Sequence, residues 1–321
     1  MLVKTLKTNR PSAYIAFFVS ATLFFLLDII ISTKPSFASN HPIFSSLASF
    51  FAHHYTWSNV LLFIIGLLMA MGWNNALNER GVFKNATIIP AFLFIILSSV
   101  FSLSSFWICS FILLFVINKF MLCFQKERPY GLLFDSGFLI GLATVINPIC
   151  IFFFLLTFVA IVVYSTINWR NFLIPIIGLF TPFLFAWLYG FYFDSLPILT
   201  DYYFTSIKWS PPNIEYSLSF LVWSTLLLLL FLFAIRELAQ WLTMKSLRSR
   251  KAFYVFFSYS VCTFIGFFFV QDSWNYLLFF TLPFTVLTAN YFIFIEKRWW
   301  YESLFILILI STVYLQLAPL F

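Results

Sequence analysis

The chain places a single carboxylate, Asp28, inside the apolar stretch Leu26-Leu27-Asp28-Ile29-Ile30. No Lys or Arg lies three or four residues away, so no neighbour on the same helix face neutralises it. An acid at the centre of a membrane-spanning helix costs about 2.5–3.5 kcal/mol, and less near its end. An intramembrane acid without a neighbouring partner marks a functional site by default, and a carboxylate there is the residue type for a general base. Asp28 is therefore the candidate catalytic residue. The alternative is a structural acid hydrogen-bonded to an adjacent helix.

Polar side chains gather in two longer connections, residues 33–57 and 193–216. The first holds every histidine of the chain, His41, His53 and His54. Within it Ile43, Leu47, Phe50, Phe51 and His54 recur at helical spacing with Ser45, Ser46 and Ser49 opposite, which predicts a helix lying along the membrane surface. Two adjacent histidines with no third ligand at helical spacing make a poor metal site, so no metal is expected. Hydrogen bonding to a substrate suits His53 and His54 better, with interfacial polarity as the plain alternative. The second connection carries Asp201, Tyr202, Lys208, Trp209 and Glu215, acids and a lone lysine among aromatic rings. Such a mixture suits sugar stacking and phosphate contact, and an aromatic belt at the interface uses the same residue types. His53, His54, Asp201, Tyr202, Lys208 and Glu215 are the candidate substrate-binding residues.

Apolar helices must position these groups. Charged residues make up 9% of the chain and the mean hydropathy is +0.98, which excludes a soluble globule. A spanning helix needs about 20 apolar residues, and the sequence offers runs at 12–32, 58–76, 86–103, 105–123, 131–147, 149–166, 172–192, 217–236, 252–270, 275–295 and 300–319. An all-α, polytopic membrane protein of about eleven spans is predicted. With the amino terminus cytoplasmic, all of the 18 Lys and Arg residues except Lys34 and Lys208 fall on the cytoplasmic side. The carboxyl terminus is then extracytoplasmic, and the two long connections face outward. The first run, preceded by Lys4, Lys7 and Arg10, exceeds the 7–15 residues of a signal h-region and reads as an uncleaved helix. Positive charge scattered over loops gives no nucleic-acid face. The Cys residues at 109, 123, 150 and 262 have no paired spacing and read as small apolar residues. The Phe residues, 48 in all, read as lipid-facing bulk. Asn147-Pro148 marks a tight turn or a re-entrant break. Asp135 and Glu302 read as structural acids at helix starts. The basic stretch Arg236–Lys251 reads as a surface helix on anionic lipid or a solvated loop.

Taken together, Asp28 at the outer end of the first span and long outer connections after the first and seventh spans resemble the layout of the GT-C membrane glycosyltransferases. The resemblance implies a general-base or acceptor-positioning role for Asp28 and a polyprenyl-phosphate-linked sugar as donor, with no cofactor. It departs from that family in having one acid followed by Ile29-Ile30-Ile31 rather than paired acids in a polar loop. The runs Phe134-Asp135-Ser136-Gly137-Phe138-Leu139-Ile140-Gly141, Asn168-Trp169-Arg170 and Gly178-Leu179-Phe180-Thr181-Pro182 are similar to a family of uncharacterised polytopic proteins from Bacteroidota. The expected setting is a bacterial inner membrane, with membrane lipids as partners. Two further readings stand beside glycosyl transfer: a lipid or glycolipid transporter or flippase, and a non-catalytic subunit held by membrane-complex partners of an envelope assembly.

Overall fold

A computed structural model describes residues 6–7, 11–31, 49–51, 53–164, 167–209, 217–295 and 298–318. Helix α1 covers Pro11–Ile31, α2 Tyr55–Glu79, α3 Ile89–Ser98, α4 Ser105–Leu122 and α5 Tyr130–Ile146. A 3₁₀ segment, Pro148–Phe153, leads into α6, Phe154–Tyr164. Then come α7 (Trp169–Tyr192), α8 (Leu196–Ser206), α9 (Leu218–Trp241), α10 (Leu247–Phe267), the single turn α11 (Ser273–Tyr276), α12 (Leu278–Phe294) and α13 (Arg298–Leu317). Among the described residues there is no strand.

Every apolar run expected to span lies on a helical segment, but the segments are not of one kind. Among the described residues six stretches are long and apolar enough to cross a membrane: α2, α4, α7, α9, α11 with α12, and α13. The run expected at 86–103 is the ten-residue α3, only about 15 Å long. Pro90 begins it, and at its end the Ser98 and Ser99 hydroxyls donate back to the Ile95 and Ile96 carbonyls. The chain leaves the helix there, although the apolar character continues to Leu103. Beyond Ile146 the backbone changes to 3₁₀ geometry, with the Asn147 side chain accepting from the Ile149 amide and donating to the Ser105 hydroxyl. α10 has the length, 21 residues, but its first turns carry Arg248, Arg250 and Lys251.

All ten residues of α3 are buried, and so is most of α12. These two helices pack against each other and form the centre, with α1 and α2 on the α3 side and α9 and α10 on the α12 side. A helix apolar all round belongs in such a place. The Phe residues expected to face lipid supply much of this core. Phe94, Phe120, Phe153, Phe256 and Phe279 are fully buried, and edge-on pairs such as Phe153–Phe279 at 5.2 Å join the helices.

The tightest seam joins α5 to α7. Gly137 and Gly141 lie one turn apart on α5, and Gly178 faces them from α7. A Cβ at Gly137 would meet the Pro175 carbonyl, one at Gly141 the Leu179 carbonyl, and one at Gly178 the Phe134 carbonyl. Small residues spaced this way let helix backbones approach closely in a bilayer, where packing rather than water drives association. Helix ends also sort by contact. At one end Lys7 donates to the Ile295 carbonyl (3.5 Å), Arg80 to Asn118 (3.1 Å) and Ser249 to the Val82 carbonyl (2.7 Å). Asp135 pairs there with Lys119 at 2.6 Å, a partly exposed pair contributing about 0–1 kcal/mol. At the other end Ser102 meets Asn275 and Gln316 meets the Ser99 carbonyl.

Candidate functional site

Among the described residues, an apolar groove of about 640 Å³ lies on the α12 side of the bundle. Phe220, Trp223, Leu227 and Phe231 of α9 form one wall, Phe257 and Phe264 of α10 the other, and Phe280 and Phe284 of α12 the floor. Leu97 and Phe101 close it at the end of α3. Three hydroxyl residues also line it, yet each turns back on its own helix: Ser224 donates to the Leu221 carbonyl, Ser260 to Phe256 and Thr281 to Leu278. The walls therefore offer almost no polar contact. One exception is the indole N–H of Trp223, which is buried and has no hydrogen-bond partner among the described residues. A buried donor left unpaired costs roughly 1–3 kcal/mol, so it is a natural contact for a bound polar group.

A polar rim adjoins one end of the groove. The Trp274 ring lies 5.6 Å from Phe101, 5.6 Å from Phe220 and 6.2 Å from Trp223. Asp272 caps α11 by accepting from the Asn275 amide N–H, and its second oxygen accepts from the Asn275 side chain at 2.9 Å. Ser102 donates to Asn275 Oδ1 at 3.3 Å. The local sequence Asp272-Ser273-Trp274-Asn275 forms this turn because an Asp at the cap satisfies amides that a helix leaves free. Sequence reasoning passed over these residues. Their signal was an acid followed two residues later by Trp in a short connection.

The residues singled out from the sequence do not gather in one place. Asp28 lies in the last turn of α1, which packs on α2, α3 and α13. α1 thus stands one helix removed from the groove, behind α3 and α13. His53 and His54 are exposed just before α2; His53 Nδ1 lies 2.7 Å from the Ser49 carbonyl, and the His54 ring rests 4.9 Å from Phe50. His41 and Glu215 lie outside the described residues. Asp201 is exposed on α8, which packs against α7 and the 3₁₀ segment. Tyr202 beside it is half-buried, and that burial pushes its phenol up to about 12. Its neighbour Tyr203 anchors α8 by donating to the Val145 carbonyl at 3.1 Å. Lys208 is exposed next to Trp209, whose ring stacks on Phe268 at 5.7 Å and meets Phe269 edge-on at 5.6 Å. Phe268 in turn meets Phe264 of the groove wall, so the Trp209 ring is linked to the groove through two ring contacts, while Lys208 itself does not line it. Among the described residues no three of His, Cys, Asp and Glu come together as metal ligands. The four cysteines are buried and free.

A second, polar cavity of about 400 Å³ lies between α1 and α2, lined by Tyr14, Asn74, Asn75 and Asn78. It sits at the Lys7 end of the bundle, where Lys245 provides a measurable electrostatic feature. Its ammonium donates to Asn290 Oδ1 at 2.7 Å and lies 4.2 Å from the Phe294 ring centroid. Burial pulls its pKa down to about 8. The neutral amine is the nucleophile, so acylation of Lys245 should reach half its maximal rate near pH 8, where ordinary lysines need about 10.4. Between those values the unfolded chain binds the extra proton, and stability should rise with pH through that window. Peptide-resolved labelling across pH 6–11 checks this; Lys245 titrating with the exposed lysines would refute it.

The described residues thus form an all-helical fold with six helices long and apolar enough to cross a membrane and an apolar groove on one flank. The sequence profile of a family of unknown function, DUF6427, matches residues 39–320, and the chain belongs to that family. No curated protein and no solved structure matches it.

Proposed function

We propose that the protein is an inner-membrane protein that holds the hydrocarbon chain of a lipid-linked substrate in the groove and presents the headgroup to the extracytoplasmic rim. The reading is carried by one observation: a 640 Å³ groove whose hydroxyls are all turned back on their own helices, with the Trp223 indole N–H and the Ser102–Asn275 pair toward one end. A polyprenyl phosphate has the matching chemistry, a long apolar chain with an anionic end. In this reading about eleven segments traverse or enter the membrane with the amino terminus inside, and the chemistry is GT-C-like glycosyl transfer from a polyprenyl-phosphate sugar. In this reading Asp28 is the general base: it takes the proton of the acceptor hydroxyl as that oxygen bonds to the sugar's anomeric carbon, and the polyprenyl phosphate leaves with the electron pair of the broken C–O bond.

The test is sugar transfer by the purified protein with a polyprenyl-phosphate sugar and a membrane acceptor extract. Asp28→Asn should lower transfer about 100-fold or more, the range of a lost general base, while leaving thermal stability unchanged. Transfer retained in that variant would remove Asp28 from the chemistry. A lipid flippase is the second reading, favoured by the polar Asn74–Asn78 cavity, which supplies a headgroup-sized recess at the opposite end from the rim. It predicts flux of labelled lipid without turnover of the sugar bond.

A further inference from the structure

The start of α10 combines three electrostatic features that oppose one another. Arg248 and Lys251 are three residues apart and share a helix face, where like charges repel. Both sit at the amino end of the helix, where the macrodipole is already positive. Ser246 takes the capping position, accepting from the Ser249 amide N–H at 3.3 Å, so no acid occupies it. Among the described residues no carboxylate lies within ion-pair distance of either cation. Asp135 is already held by Lys119, and Glu127 in the neighbouring turn is exposed and pairs with neither.

The two cations converge on one ring. The Arg248 guanidinium carbon lies 5.8 Å from the centroid of Phe124 and the Lys251 ammonium 5.7 Å. The ring of Tyr164, at the end of α6, lies 6.5 Å from the same centroid. Tyr164 is 5% exposed, and its hydroxyl has no hydrogen-bond partner among the described residues. Arg248 Nε is likewise buried and unpaired. An arginine, a lysine, a phenol and a helix amino terminus at one spot are the donor set for a phosphate.

We propose that the ends of α4, α6 and α10 form a phosphate site around Phe124, with Arg248, Lys251 and the Tyr164 hydroxyl as donors, occupied by the headgroup of an anionic membrane phospholipid. Arg248 forks onto the phosphate oxygens, Lys251 neutralises the second charge, and Tyr164 donates from the buried side. The site lies at the Lys7 end of the bundle, away from the Ser102–Asn275 rim, and does not depend on the substrate reading of the groove.

The full-length protein in neutral detergent is incubated with phosphatidylglycerol or with phosphatidylcholine, and bound lipid is counted by native mass spectrometry. Wild type should retain phosphatidylglycerol in preference to phosphatidylcholine. Arg248→Gln combined with Lys251→Gln should retain about tenfold less, and Tyr164→Phe about threefold less, as charge-assisted donors are lost. Lys84→Gln with Arg170→Gln removes the same charge elsewhere and should change nothing. Should the cluster variant fail to fold, Tyr164→Phe alone carries the test. An inorganic phosphate arm separates the sources. A thermal shift from phosphate alone that vanishes in the cluster variant supports the site with a free anion as occupant. Lipid retention without such a shift supports the headgroup. Equal retention of phosphatidylglycerol by wild type, cluster variant and Tyr164→Phe overturns the proposal.

Discussion

Gly141→Leu should leave little folded protein, and Gly137→Val should behave alike. At both positions the atom a new Cβ would meet is a backbone carbonyl oxygen of α7, that of Leu179 or Pro175. A side chain can rotate away from such a clash; a helix backbone cannot. Overpacking where neighbours can yield costs about 1–3 kcal/mol. Here α5 and α7 must separate along the whole seam, because Gly178 makes the reciprocal contact with Phe134 from the other side. A loss of at least about 3 kcal/mol is a large share of the 5–15 kcal/mol that holds a typical fold together. Gly72 is the internal control: it lies inside α2, and nothing stands within 4 Å of its Cβ position. Gly72→Ala should raise stability by up to about 1 kcal/mol through helix propensity. Melting of the three variants in one detergent decides the matter, and a Gly141→Leu protein melting with the wild type would show that the seam is not close-packed.

The seam also shows how much of the molecule the sequence disclosed. Helix positions were legible, since an apolar run bounded by polar residues has few other outcomes. The Asn147-Pro148 break was legible because proline removes a donor and restrains its predecessor. The length of α3 was not, because residues 86–103 stay apolar past the point where Ser98 and Ser99 turn their hydroxyls back on the helix. Resemblance drew attention to Phe134–Gly141 and Gly178–Pro182, but only their juxtaposition shows that the glycines admit a backbone. The groove was hidden for a different reason: its walls come from α3, α9, α10 and α12, and every lining residue type suits contact with lipid as well. In a bilayer protein, composition separates apolar from polar but does not separate a chain-binding wall from an outer surface. None of the polar candidates is among the residues that line the groove, and the rim built on Asp272 and Asn275 rests on a one-turn helix that no periodicity announces.

Closing the groove should weaken the binding of a lipid-linked substrate about 30-fold. Ser224 of α9 is the position of choice: it lines the groove, is not packed in the core, and bonds only to the Leu221 carbonyl of its own helix. Ser224→Trp therefore adds a large ring without stranding a polar partner. Bilayer hydrocarbon is as apolar as the groove, so the hydrophobic effect contributes little to choosing between them, and retention rests on packing. A ring that removes about fifteen carbon–carbon contacts, at roughly 0.15 kcal/mol each, weakens binding by about 2 kcal/mol, or about 30-fold. Photo-crosslinking with a diazirine-bearing polyprenyl phosphate measures this, and Leu173→Trp, on the exposed face of α7, controls for bulk. Trp223→Phe isolates the polar contribution. If the buried indole N–H meets a headgroup oxygen, its removal should cost about tenfold in crosslinking while raising the stability of the empty protein, since an unpaired buried donor disappears. Opposite signs in those two readouts would set a substrate contact apart from mere packing. Unchanged crosslinking in both Ser224→Trp and Trp223→Phe would mean that the chain enters the protein elsewhere.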